Sequence, residues 1–71
     1  MKQYKIKMDY NNDETYYLVN PTSESKTGIH GSFKVMPDNK EKYNFLNYEK
    51  DFIKGGFFPV KNIQLIEEVN V

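Results

Sequence analysis

The sequence predicts an all-β fold: five or six short strands closing into a small, partly open barrel with at most a single short helical turn. Three observations lead there. Tyr4, Ile6, Met8 and Tyr10 alternate with Lys5, Lys7 and Asp9, the period of a strand with one buried face. Turn-forming clusters of Asn, Asp, Gly, Pro and Ser punctuate the chain at short intervals. No long stretch carries a helical period, and a small sheet must close on itself or expose its edges.

The elements follow in order. Residues 2–20 read as a β-hairpin: the alternating strand, a turn at Asn11-Asn12-Asp13, then Glu14 to Asn20 with the β-prone run Tyr16-Tyr17-Leu18-Val19. Pro21 to Gly28, PTSESKTG, is polar and turn-rich and reads as a loop. Ile29 to Met36 sets Ile29, Phe33 and Val35 on one side, and Gly31, in step with them, marks a bulge or a close backbone approach. Met36-Pro37-Asp38-Asn39 suits a turn with Pro at its second position. Tyr43 to Tyr48 returns as the partner strand, so residues 29–48 form a second hairpin. Tyr48 to Lys54 reads two ways. Gly55 could end one helical turn as its C′ residue, or Phe52-Ile53 could pair with Phe57-Phe58 across Lys54-Gly55-Gly56. The second is preferred. Pro59 has no N–H for a ladder and interrupts pairing. Ile63 to Val69 is the last strand, with Ile63, Leu65 and Ile66 expected to finish the core.

Composition limits the function. Seventy-one residues make one domain, 1–71. A chain this short buries only about 60% of its unfolded surface. It has no Cys and one His, so disulfides and Cys- or His-rich metal sites are excluded. Six Tyr and five Phe supply the apolar area instead. Ten Lys balance ten Asp and Glu, leaving a net charge of zero and no global field for nucleic acid or an anionic membrane. Every one of those cations is Lys, and Arg, the preferred residue for bidentate phosphate contacts, is absent. No apolar run approaches the roughly 18 residues of a membrane span. The start lacks a signal-peptide apolar region. Asn20-Pro21-Thr22 is no glycosylation acceptor, because Pro holds its middle position. The expected compartment is cytoplasmic. Heavy use of Lys, Asn, Ile and Tyr without Ala points to an AT-rich coding source, and a phage or mobile element is the expected context.

The stretch Gly56-Phe57-Phe58-Pro59, followed after three residues by Ile63, resembles the end of SH3-like barrels. There a Gly-aromatic-apolar-Pro strand leads into a 3₁₀ turn and a short closing strand. The resemblance makes Val60-Lys61-Asn62 the turn and Ile63 to Glu68 the closing strand. Met8-Asp9-Tyr10 with Asp13-Glu14 is similar to the Asp-Tyr and acidic loop of peptide-binding members. The chain departs from them in having no Trp, and Asn62 stands where the groove Tyr would. The resemblance therefore implies the barrel and not proline-peptide binding, which needs an aromatic-lined groove. The closing strand also resembles that of Sm-like barrels, which would imply a ring or RNA binding.

Candidate chemistry is sparse. His30 and Ser32 share a strand face about 7 Å apart at Cα, but no third group is specified to orient them. Asp13-Glu14 and Glu67-Glu68 are adjacent pairs, which strands point to opposite faces. Gly55-Gly56 lacks phosphate-loop spacing and reads as a turn needing φ > 0. The expected function is non-catalytic: a protein-binding module, or a small inhibitor or accessory protein, without cofactor or metal. Its partner is another protein or a second copy paired edge to edge, with no membrane. The expected surface comprises Tyr10, Asn11, Asn12, Asp13, Glu14, Tyr17 and Phe57, with the Thr22 to Thr27 loop. The alternative is single-stranded nucleic acid bound by Lys5, Lys7, Lys34, Lys40 and Lys42 with Tyr4, Tyr16, Tyr17, Tyr43 and Tyr48.

Overall fold

The computed structural model describes residues 2–10, 13–36 and 49–70. They form five antiparallel strands in one sheet: β1 (Lys2–Tyr10), β2 (Asp13–Glu24), β3 (Gly28–Met36), β4 (Ile53–Pro59) and β5 (Ile63–Asn70), in the order β4-β3-β2-β1-β5. Two 3₁₀ turns, Glu49–Asp51 and Val60–Asn62, precede β4 and β5. The fold is all-β, and the sheet is not closed by hydrogen bonds between β4 and β5.

β4 and β5 are opposite edges of that sheet, yet only Val60–Asn62 separates them. A flat five-stranded sheet is about 19 Å wide. Three residues reach only about 10 Å. The sheet must therefore bend until its edges meet at this corner, which makes it a partly open barrel. Phe58, at the end of β4, and Ile63, at the start of β5, accordingly share one core.

That core lies on the concave face: Tyr4, Ile6, Tyr17, Val19, Ile29 and Phe58, with Met8, Phe33 and Ile63 packed against it. Tyr17 meets Phe33 and Phe58 edge to face, with centroids 5.9 and 5.3 Å apart, the geometry that aromatic quadrupoles favour. The opposite face carries a smaller cluster of Leu18, Met36 and Phe52, with Tyr16 against it. β2 thus buries both faces, which is why Tyr16-Tyr17-Leu18-Val19 is an unbroken apolar run. Two buried polar side chains satisfy each other: Gln3 Nε2 donates to Asn20 Oδ1 at 3.1 Å. The Tyr4 hydroxyl donates to Glu24 Oε1 at 2.7 Å.

The hairpin read over residues 2–20 is present, with Tyr10 in register with Asp13. Several expectations are corrected. The Pro21 to Gly28 loop is mostly strand: β2 continues to Glu24, and the bend is confined to Ser25-Lys26-Thr27. Pro21 fits because the β2–β3 register shifts between Pro21 and Ser23, a bulge that spares a ladder N–H. Gly31 is opposite that bulge, where an added Cβ would land on the Asn20 carbonyl. The preferred hairpin at Phe52 to Phe58 does not form. Residues 49–51 make a 3₁₀ turn and Ile53–Pro59 is one continuous strand on β3. Gly55 does have positive φ, +83°, but within this strand and not in a tight turn. Val60-Lys61-Asn62 is the expected 3₁₀ turn. Leu65 and Ile66 do not finish the core; they are 50% and 43% exposed. β5 is an edge strand, and its register shifts opposite Lys5 and Ile6, which leaves Ile66 unpaired in a bulge. Val35, expected beside Ile29 and Phe33, is exposed. The turn at Met36-Pro37-Asp38-Asn39 and the strand at Tyr43 to Tyr48 involve residues outside those described.

Candidate functional site

The residues proposed from sequence converge only in part: Lys26 and Thr27 of the Thr22 to Thr27 loop share a groove with Phe57, and the rest lie apart from it. Asn11 and Asn12 lie outside the described residues, and Tyr10 is placed only by its backbone pairing with Asp13. Asp13 and Glu14 are exposed, and Glu14 is engaged by Lys7 at 2.8 Å. That hydrogen bond, more than any other influence, holds the Lys7 ammonium above its ordinary pKa. Tyr17 is buried among Phe33 and Phe58, so it belongs to the core and offers no binding surface. Phe57 is exposed, level with His30 and Ser23, at the far end of β2 from Asp13 and Glu14.

The lysine-tyrosine face does not assemble among the described residues. Tyr4 and Tyr17 are core residues. Lys5 pairs with Glu67 at 3.7 Å and Lys34 with Asp51 at 3.6 Å. Lys40, Lys42, Tyr43 and Tyr48 lie outside the described residues.

A surface does assemble around Phe57. Strand alternation sends Phe58 into the core beside Ile29, its cross-strand partner. Phe57 therefore points outward, beside its own partner His30, with ring centroids 4.4 Å apart and planes tilted by 42°. Gly28 makes room for this ring: a Cβ there would lie 2.6 Å from Phe57 Cζ. Pro59 ends the strand, and the following turn is tied to the β2–β3 hairpin, where Val60 N donates to the Thr27 carbonyl at 2.9 Å. The hairpin tip is itself braced by the Ser25 N to Gly28 O bond at 3.0 Å and by the hydroxyls of Ser25 and Thr27, 2.9 Å apart.

Between tip and turn lies a groove of about 470 Å³, lined by Lys26, Thr27, Phe57, Pro59, Val60 and Lys61. A second hollow, of about 490 Å³, sits on the other side of the stacked rings, with His30, Ser32 and Lys54 among its lining. Among the described residues, neither is lined by an acid. Lys26, Lys54 and Lys61 are exposed and form no ion pair among the described residues. Sequence reasoning singled out Phe57 and the Thr22 to Thr27 loop, which holds Lys26, and missed His30, Val60 and Lys61 as neighbours of that ring. Of these, only the Phe57-Phe58 dipeptide carried a signal, since one ring of an adjacent pair on a strand must face outward.

His30 and Ser32 do share the second hollow, but the His30 ring is stacked on Phe57. Among the described residues no three His, Cys, Asp or Glu side chains cluster as metal ligands would. None of their helices is long and apolar enough to cross a membrane. Family models, curated proteins and solved structures yield no match to this chain. The functional reading accordingly starts from the Phe57 surface.

Proposed function

We propose that this protein is a non-catalytic protein-binding module, a small accessory or inhibitor protein of the cytoplasm, that docks its partner on the Phe57 surface. One observation carries the reading. Phe57 is 44% exposed on a strand whose next residue, Phe58, is anchored in the core at 3%. A large ring held outward by a rigid backbone loses little entropy on binding, which is why aromatic side chains dominate interface anchors. Pro59 and Val60 extend the apolar area, and the Thr27–Val60 bond fixes the groove's width. An SH3-like ancestry is compatible with the bent sheet and the 3₁₀ corner, but the binding surface proposed here owes nothing to a proline-peptide groove.

The test is affinity capture from the native host with the wild-type chain and with Phe57→Ala, each with and without nuclease treatment. Wild type is expected to retain a protein partner that Phe57→Ala releases. Retention of nuclease-sensitive material alone would replace this reading with single-stranded nucleic-acid binding.

A further inference from the structure

We propose that the groove between Lys26 and Lys61 receives a protein segment that carries carboxylates on both sides of an apolar side chain. This rests on the protein-binding reading and adds the chemistry of the partner.

The argument is one of charge distribution. The chain has no net charge, yet its acids are not spread evenly over its lysines. Lys2 and Lys5 are matched across the β1–β5 register by Glu68 and Glu67, at 3.4 and 3.7 Å. Lys7 is matched by Glu14 and Lys34 by Asp51. Glu24 accepts the Tyr4 hydroxyl. The lysines around the stacked rings, Lys26, Lys54 and Lys61, have no acid partner among the described residues, and among those residues no acid lines either hollow. Among the described residues, the charged lining of the groove is therefore all positive around an apolar floor of Phe57, Pro59 and Val60, although Lys61 also borders a neighbouring hollow with Asp9. The complement is an apolar side chain flanked by negative charge.

The lysines themselves, as point charges, do not choose between carboxylate and phosphate, and it is the floor that favours a peptide over a nucleic acid. The groove floor is aliphatic beside Phe57, and one side of that ring is already occupied by His30, which leaves little stacking platform for bases. A second copy could offer Leu65-Ile66-Glu67-Glu68, but those glutamates already face Lys5 and Lys2.

The experiment is an amide NMR titration of the full ¹⁵N-labelled chain with four probes: the capped peptide Glu-Glu-Leu-Phe-Glu-Glu, its Gln-for-Glu and Lys-for-Glu analogues, and a thymidine oligonucleotide. The acidic peptide is expected to shift the amides of Lys26, Thr27, Phe57, Val60 and Lys61. Its affinity should exceed that of the Gln analogue by about tenfold or more and fall with added salt, since charge-assisted contacts are the stronger ones and salt screens them. In the Lys26→Glu, Lys61→Glu double variant the preference should reverse toward a Lys-for-Glu peptide, a gain that misfolding could not produce. Equal binding of the Gln analogue at the same amides would overturn the acidic preference and leave the protein-binding reading standing. No response to any peptide at millimolar concentration, or tighter binding of the oligonucleotide there, would overturn both. Shifts at these amides on concentrating the chain alone would make a second copy the occupant and overturn the proposal.

Discussion

Phe57 and Phe58 are chemically identical neighbours with opposite fates, and the cause is register. Phe58 is level with Ile29, which faces the core, and Phe57 with His30, which does not. Phe58→Ala should destabilise the fold by about 3–5 kcal/mol, the cost of deleting a buried ring and leaving its cavity. Phe57→Ala should cost about 1 kcal/mol or less, as at surface positions. Denaturant titration checks both, and equal losses would place both rings in the core. Tyr4 offers a second test. The hydrogen bond to Glu24, then burial, then the Glu24 charge push its phenol up to about 12 from the ordinary 10.0. The folded state therefore favours the protonated form. That stability is fully present below pH 10 and is lost as pH rises toward about 12, because the unfolded chain gives up this proton first. Stability measured over that window should fall less steeply for Tyr4→Phe than for wild type. Parallel slopes would show that the phenol is not held in this way. At this scale the sequence told that one of the two Phe rings must face outward. It could not tell which, because that depends on the strand alongside.

At the scale of elements, the strands with a clean alternation were the legible ones. β1 was read almost to its ends because Tyr4, Ile6 and Met8 alternate with charges. The sequence alone ends β2 at Asn20, because Pro21-Thr22-Ser23-Glu24 has turn chemistry. Those residues are extended because β3 supplies their hydrogen-bond partners, and a bulge accommodates the proline. The sequence alone divides β4 for a similar reason: Gly55-Gly56 signals a turn locally, but β3 holds the segment extended. The site depends on how these elements abut. Gly28→Ala would put a methyl group against the Phe57 ring and the Phe58 carbonyl. It should destabilise the fold by about 1–3 kcal/mol, as overpacking does, and shift the His30 and Phe57 ring resonances. Unchanged ring resonances would mean that the stack does not depend on this close approach.

Across the whole molecule, an incompletely closed sheet leaves two edge strands, and their side chains carry much of the exposed apolar surface: Ile53 and Phe57 on β4, Leu65 and Ile66 on β5. β1, β2 and β3 each have a neighbour on both sides. Their amides should exchange with solvent more slowly than those of β4 and β5. Exchange in dilute solution as slow in β5 as in β2 would mean that something covers that edge. The sequence by itself determined the all-β class, the first hairpin and the outward turn of one phenylalanine, each from local alternation or from the turn chemistry around it. The 3₁₀ corner after Pro59 was implied only by the resemblance to SH3-like barrels. Only the tertiary structure decided that Pro21 to Glu24 would be strand, that Leu65 and Ile66 would stay outside the core, and that Lys26 and Lys61 would flank Phe57. Those outcomes depend on which strands become neighbours when the sheet bends, and contacts between residues so far apart in the chain leave no periodic mark in it.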